Sequence, residues 1–166
     1  DFSKYGNALT NFSSQLSTSQ SLLAMNVLKD PYRLDFVTLE RGYDEHDLES
    51  AIAKDITRFL LELGSGFTYV GRQPEFVVGN EGYFPDLLFY HIRLRCYVVI
   101  ELKVVDFKPE FAGKLNFYVT ACNKLLRQPE DNPTIGLLLC KSKDQTKVEW
   151  AFDSIRNPMG VATYEG

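Results

Sequence analysis

Residues 97–104, which read YVVIELKV, decide the fold of this chain. The apolar run that leads into Glu101 is typical of a strand covered on both faces of a sheet. Because successive side chains alternate between the two faces of a strand, Glu101 and Lys103 point to the same face. Ionised groups on a buried strand destabilise the fold by several kcal/mol unless a partner or a metal ion compensates them. We therefore expect this charged pair to belong to a binding or catalytic site.

Asp86 stands on the preceding predicted strand, where it forms a Pro-Asp motif with Pro85. If the hairpin between the two strands reverses at residues 93–94, Asp86 lies directly opposite Glu101, with the two Cβ atoms about 5 Å apart. Two carboxylates at that separation repel each other by roughly 3 kcal/mol at an effective dielectric constant of about 20. A positive group must therefore lie beside them.

Two kinds of positive group are candidates. Lys103 lies on the same face and could form an ordinary cross-strand ion pair with the carboxylates. A divalent metal ion is the alternative, because Mg²⁺ binds one or two carboxylates and completes its shell with water and phosphate oxygens, and Mn²⁺ is a substitute. In a metal site Lys103 would orient or deprotonate the attacking water, or stabilise developing charge, and the sequence leaves these roles open.

The remaining elements follow from hydrophobic periodicity and from turn residues. Their order is a helix, an antiparallel meander, a crossover helix and a buried strand, which predicts an α/β fold with a mixed sheet. The predicted helices cover 44–63 and 109–127, after a short helix that begins near residue 18. The predicted strands cover 67–70, 74–78, 83–90, 96–105, 134–140 and 147–152, with a short edge strand at 161–164.

The length and the cysteines bound the class of protein. The chain has 166 residues, enough for one domain at 41–166, and we interpret residues 1–40 as a linker or as the edge of a missing N-terminal domain. The chain begins at Asp1 without a methionine, so we expect it to be a fragment. Its three cysteines form no CxxC pair, and we find neither a signal peptide nor an apolar run long enough for a membrane span. These features predict a cytoplasmic protein with no membrane partner.

Charge is unevenly distributed along the chain. The net charge is −4, yet residues 93–147 carry ten Lys and Arg against six Asp and Glu, an excess of +4 that leaves −8 on the rest. The net charge argues against a polyanion as partner, and any surface for nucleic acid is therefore expected in the second half of the chain. The alternative is that these charges are scattered over solvated faces.

Several stretches together carry a resemblance to a known family. They are residues 48–52, 59–67, 70–73, 86–91, 98–103, 107–110, 116–118 and 135–141. The chain resembles, over about residues 28–164, the C-terminal nuclease domain of the YhcG-type bacterial proteins, which belong to the PD-(D/E)xK superfamily. The resemblance implies a restriction-endonuclease-like α-β-β-β-α-β core, with a mixed central sheet flanked by helices. It also implies Mg²⁺-dependent cleavage of nucleic acid, with DNA favoured, and a missing N-terminal nucleic-acid-binding module.

The resemblance assigns roles to individual residues. Its first-helix acid falls on Glu49, which would join Asp86 and Glu101 as a metal ligand, while Lys103 would serve catalysis. For Glu49 the alternative is a solvated acid in the first turn of a helix, where the helix dipole favours negative charge. His91, by contrast, is expected to be a surface residue at the end of the hairpin.

Five further residues are candidates for contact with nucleic acid. The superfamily often has a Gln and a Tyr four residues apart on the second helix, where both face the site. Tyr118 matches this pattern, but Lys114 replaces the Gln, and a lysine there could bind phosphate or weaken the activity. Arg72 and Gln73 could contact phosphate or form a structural ion pair. Lys108, just before the second helix, completes the set.

Three functional hypotheses remain at this point. The first is a metal-dependent nuclease. The second is a nucleic-acid-binding module that retains the nuclease fold with little or no turnover, which the Lys114 departure and the net charge motivate. The third is an assembly domain whose hairpin or last strand pairs with a second copy in a homodimer.

Overall fold

A mixed sheet organises the chain, and the computed structural model describes residues 8–37 and 39–165 of it. The helices are α1 (Phe12–Gln15), α2 (Thr18–Val27), α3 (Glu45–Lys54), α4 (Ile56–Leu63), α5 (Pro109–Leu125) and α6 (Gln145–Phe152). The strands are β1 (Leu9–Thr10), β2 (Tyr32–Arg33), β3 (Phe67–Arg72), β4 (Phe76–Val78), β5 (Glu81–Tyr83), β6 (Leu87–His91), β7 (Cys96–Leu102), β8 (Ile135–Cys140) and β9 (Met159–Glu165).

The main sheet confirms the predicted α/β class. Its strand order is β1-β9-β8-β7-β6-β3, and β2 also pairs with β9. β3, β6 and β7 form the antiparallel meander, whereas β8 returns parallel to β7 through the crossover helix α5. β4 and β5 form a separate two-stranded hairpin beside this sheet.

Helices cover both faces of the sheet, and each face has its own apolar core. α3 and α4 pack on one face, where their buried side chains meet those of Phe89 and Ile100. α5 covers the other face so closely that a Cβ atom on Gly136 of β8 would lie 2.8 Å from Val119 and 2.9 Å from Leu115. β8 therefore needs a glycine at this position, because no side chain fits beneath the helix.

Two predicted elements are interrupted. The predicted helix 44–63 is two helices, because Asp55 ends α3 and begins α4. Asp55 has a non-helical backbone conformation, with φ −126° and ψ 53°, which interrupts the helical hydrogen bonds at this residue. The predicted strand 83–90 ends at Tyr83 and resumes at Leu87, because Pro85 between them has no backbone N–H to donate to a ladder.

Two further predictions near the C-terminus are wrong. Residues 147–152 lie in helix α6, whose N-cap Asp144 accepts a hydrogen bond from the Lys147 N–H at 2.9 Å. Val148 and Phe152 are buried there at a spacing of four, the helical period that the β-branched and aromatic residues obscured. Residues 161–164 belong to β9, which is an interior strand because β1 and β2 pair with it.

The N-terminal segment packs on the domain over its described part. Phe12 and Tyr32 are fully buried in the core beneath α3 and α4. Asp30 joins this segment to β9, since its Oδ1 accepts hydrogen bonds from the backbone N–H (3.0 Å) and the hydroxyl (2.5 Å) of Thr163. Asp30 also forms a partly buried ion pair with Lys143. A further domain before this segment stays a prediction.

The cysteines lie where the sequence predicts. Cys96, Cys122 and Cys140 are buried and form no disulfide bond. Between residues 8 and 165, Thr38 aside, we find no helix with the length and apolarity that a membrane crossing requires.

Candidate active site

The hairpin of β6 and β7 brings the two predicted carboxylates together. Leu87 pairs with Ile100 and His91 with Cys96, which confirms the predicted register, and one more step places Asp86 opposite Glu101. The two residues are tied to each other through the backbone. The Asp86 N–H donates to Glu101 Oε2 at 2.6 Å, and the Leu102 N–H donates to Asp86 Oδ2 at 2.8 Å.

Both carboxyls lie where an anion is disfavoured. Glu101 is 4% exposed, and its burial, followed by repulsion from Asp86, raises the pKa of its carboxyl to about 8. Burial and, to a smaller extent, the nearby Glu49 raise the pKa of Asp86 to about 6, although the hydrogen bond from the Leu102 N–H opposes the rise. At neutral pH Glu101 is therefore mostly protonated while Asp86 is mostly ionised, so the pair holds about one proton unless a cation takes its place.

Glu49 is the third acid of this cluster. It is 1% exposed, which excludes the solvated first-turn alternative, and it lies close enough to Asp86 to raise the pKa of that carboxyl. Its Oε1 accepts a hydrogen bond from Arg72 Nε, and its Oε2 accepts one from Gln73 Nε2 at 2.7 Å. Arg72 and Gln73 therefore bind Glu49, which is the structural role that the sequence offered as the alternative to a phosphate contact.

Two lysines lie near the acids. The Lys103 Nζ lies 4.6 Å from the centre of the Phe111 ring, and its charge lowers the pKa of Asp86 and of Glu101. Lys114 lowers the pKa of Glu101 more strongly than Lys103 does. The residue that departs from the superfamily pattern therefore supplies positive charge to this carboxylate.

The structure places the other candidates differently. Tyr118 is 5% exposed, and Glu101 and Asp86 both contribute to a pKa of about 12, although burial is the larger cause. Lys108 is exposed just before α5. His91 is fully buried, so its predicted surface position is wrong.

Tight packing explains the burial of His91. Its Nδ1 accepts a hydrogen bond from the Leu94 N–H at 3.0 Å. A Cβ atom on Gly66, whose φ is +98°, would lie 2.6 Å from the imidazole ring. His91 therefore has a structural role, because it stabilises the turn of the hairpin between β6 and β7.

Three neighbours of these residues were missed by the sequence analysis. Ser50 Oγ accepts a hydrogen bond from Arg72 Nη2 at 2.8 Å, and the Tyr164 hydroxyl donates to the Lys103 carbonyl at 2.9 Å. Phe111 supplies the ring beside Lys103. No local pattern signals the Tyr164 contact, because the two residues are 61 positions apart.

The donors present suit a divalent cation of the magnesium type. Among residues 8–37 and 39–165, no group of three or more His, Cys, Asp or Glu side chains is arranged to enclose a metal ion. Mg²⁺ needs only one or two carboxylates, because water and substrate oxygens supply its other ligands. Asp86 and Glu101 provide such a pair, and a bound cation would stabilise their ionised forms, which burial disfavours.

Comparison with known proteins identifies the family. Residues 25–166 match the family described as the YhcG PDDEXK nuclease domain. The chain belongs to this family. It is 35% identical over 144 residues to the Escherichia coli (strain K12) protein named "Putative nuclease YhcG". The match covers 87% of this chain and 38% of that relative, so the chain spans well under half the relative's length.

A solved structure is also similar to this chain. It is the crystal structure of a repair endonuclease from Pyrococcus abyssi, with a TM-score of 0.45 and 16% sequence identity. The similarity covers 76% of this chain and 48% of the other.

The metal-free domain is expected to lose stability as the pH rises from about 4 to about 8. Asp86 and Glu101 have raised pKa values in the folded state, so their stabilising contribution is complete below their unfolded pKa values and is lost as the pH passes about 6 and about 8. We expect a loss of at least about 1.4 kcal/mol, the equivalent of one pKa unit, and a Tm lower by about 3–6 °C.

Thermal unfolding in a chelator, followed at several pH values, measures this effect. The Glu101→Gln variant is the control, because its neutral amide removes the larger of the two titrations. Parallel Tm curves for the wild type and the variant across this range would contradict the prediction. Adding Mg²⁺ should raise the Tm of the wild type most at the alkaline end.

Proposed function

We propose that this domain hydrolyses phosphodiester bonds of nucleic acid, most readily of DNA, and that the reaction depends on Mg²⁺ or Mn²⁺. One observation carries the proposal: Asp86 and Glu101 meet across a buried hairpin, with Lys103 beside them. Family membership supports a nuclease activity. The metal requirement is inferred from the carboxylate pair, and the preference for DNA is carried over from the resemblance to the nuclease family.

Each residue of the cluster has a proposed task. Asp86 and Glu101 would bind the metal ion, which when bound supplies a Lewis acid for the phosphoryl oxygens and favours deprotonation of the attacking water. Glu49 would supply a third negative charge beside Asp86. The backbone hydrogen bonds to Asp86 and Glu101 hold both carboxylates in place, so little reorganisation accompanies the reaction.

Lys103 would stabilise negative charge that develops on the phosphate group. Its carbonyl is held by the Tyr164 hydroxyl and its ammonium group lies against Phe111, so its charge stays close to the acids. Positioning and electrostatic stabilisation are sufficient for this chemistry, and no covalent intermediate is required.

The substrate strand would approach across α5. Lys114 is exposed and lies near Glu101, with its Nζ 5.8 Å from the centre of the Tyr118 ring. Lys108, also exposed, precedes the same helix. We infer that these two lysines bind phosphates of the substrate strand.

We also propose that the longer protein carries a further nucleic-acid-binding module. We place that protein in the cytoplasm.

The direct test uses the full-length protein with plasmid DNA, branched DNA and RNA, each in Mg²⁺, Mn²⁺ or a chelator. The proposal requires cleavage that depends on a divalent ion and is fastest with DNA. Cleavage that persists in chelator would refute the metal requirement, and faster cleavage of RNA would refute the choice of substrate. An absence of cleavage with every divalent ion would refute the proposed nuclease activity.

A binding module with little turnover is the second candidate function. The observation that favours it is Lys114, which neutralises charge at Glu101 where the superfamily often has a Gln. Its signature is salt-dependent binding of DNA that the substitution Asp86→Ala leaves unchanged, together with no cleavage by the wild type.

A further inference from the structure

Gln73 has an unusual backbone conformation at the end of β3. Its φ is +45°, in the left-handed region that residues other than glycine, asparagine and aspartate rarely adopt. Such a conformation persists only when its surroundings enforce it, and it commonly marks a functional position.

The contacts of Gln73 lead to two acids of the active site. Its side-chain Nε2 donates to Glu49 Oε2 at 2.7 Å, and its backbone N–H donates to the carbonyl of Asp86 at 2.9 Å. An ordinary extended residue would continue the edge strand. The turn at Gln73 instead directs its amide across to α3, which carries Glu49.

Arg72 engages the same carboxylate from the other side. Its Nε donates to Glu49 Oε1, and its Nη2 donates to Ser50 Oγ at 2.8 Å. The planar guanidinium group is thereby held at two points, on successive residues of α3. Both oxygens of Glu49 therefore have a donor, and both donors come from the end of β3.

We propose that Arg72 and Gln73 are positioning residues, which orient the Glu49 carboxylate toward Asp86 and so shape the metal site. The inference rests on the proposed function, because it takes Asp86 and Glu101 to hold a metal ion, with Glu49 beside Asp86. Donors to a metal-binding group fix its orientation, and their loss typically lowers metal affinity or activity about 10–100-fold. Arg72 and Gln73 act here through Glu49.

Gln73→Asn is the sharpest test, because it keeps the charge and does not disfavour the backbone conformation. Asparagine tolerates the left-handed region better than glutamine does, but its amide is one methylene too short to retain the bond to Glu49. Titration of the full-length variant with Mn²⁺, measured by calorimetry, should show an affinity at least about tenfold lower than that of the wild type.

Gln20→Asn is the matched control. Gln20 also donates through its Nε2, at 2.9 Å, but to the carbonyl of Leu94. Its Mn²⁺ affinity should equal that of the wild type. If Gln73→Asn binds Mn²⁺ within about twofold of the wild type while folding normally, the positioning role is refuted.

Arg72 needs a different test, because its removal alters charge as well as orientation. Arg72 could act through Glu49 or could contact the substrate directly. A double-mutant cycle with Arg72→Gln and Glu49→Gln, followed by kcat, distinguishes these two roles. If Arg72 acts through Glu49, the double variant cleaves no more slowly than Glu49→Gln alone. If the two losses multiply, Arg72 contacts the substrate independently, and its positioning role is refuted.

Arg93→Gln is the control for this cycle, since Arg93 also donates to a serine hydroxyl, that of Ser65, at 3.0 Å. Its kcat should match the wild type. A wild type that binds Mn²⁺ but cleaves nothing would refute the proposed nuclease alone, because the Gln73 titration still tests positioning.

Discussion

Glu101→Gln is expected to lower the rate of divalent-ion-dependent cleavage at least about a thousandfold, since the bound ion contributes several kcal/mol of transition-state stabilisation. The amide is nearly the same size as the carboxyl, and its oxygen can still accept the hydrogen bond from the Asp86 N–H. The variant thus removes one negative charge of the ion-binding pair and little else. Initial rates on plasmid DNA, with saturating Mg²⁺, measure the effect.

Stability separates loss of chemistry from loss of fold in this variant. The burial that raises the pKa of Glu101 to about 8 destabilises the charged carboxylate, so Glu101→Gln should raise the Tm of the metal-free protein at pH 8. Glu110→Gln is the matched control, because Glu110 is an exposed acid in the first turn of α5. Its activity should stay at the wild-type level. Wild-type activity in Glu101→Gln would overturn the metal-binding role.

Lys103→Gln is expected to lower kcat by about 100–1000-fold, the usual result of removing one group that stabilises transition-state charge. The ammonium group of Lys103 lies beside Asp86 and Glu101 and packs against Phe111, so it is placed before the substrate arrives. KM for DNA should change far less than kcat, because the charge that Lys103 meets develops during the reaction. Single-turnover rates measure the chemical step.

Lys114→Gln is the matched control for Lys103→Gln. The same substitution there restores the residue that the superfamily often has, and Lys114 is exposed on α5. We expect it to change kcat less than about tenfold and to weaken the salt-dependent binding of DNA by one phosphate contact. If Lys114→Gln were the more damaging of the two substitutions, the assignment of the catalytic lysine to Lys103 would be wrong.

Much of the central fold could be predicted because it depends on local patterns. The continuous apolar run of β8 requires cover on both faces, and Pro109 begins α5 at a position where its missing N–H has no cost. The hairpin register followed from one turn position, since every later pair depends on it. Helix α6 was mistaken for a strand, because its β-branched and aromatic residues outweighed a short helical period.

The candidate site was only partly predictable. Asp86, Glu101 and Lys103 lie on one hairpin, whose geometry sequence spacing describes. Glu49 came from the family resemblance, and its burial could not be read from the sequence because β3 supplies the cover. The bonds from Arg72 and Gln73 to Glu49 cross 23 and 24 positions of the chain.

The sequence by itself determined the mixed sheet, the crossover helix and the opposition of Asp86 and Glu101, because alternation along a strand and pairing across a hairpin are local rules. Only the tertiary structure decided the environment of that pair. The packing of α3 and the end of β3 against the hairpin excludes water from Glu49 and Glu101, and α5 brings Lys114 to the same place. Desolvation depends on every element that surrounds a group, so elements distant in sequence set the charge of this site.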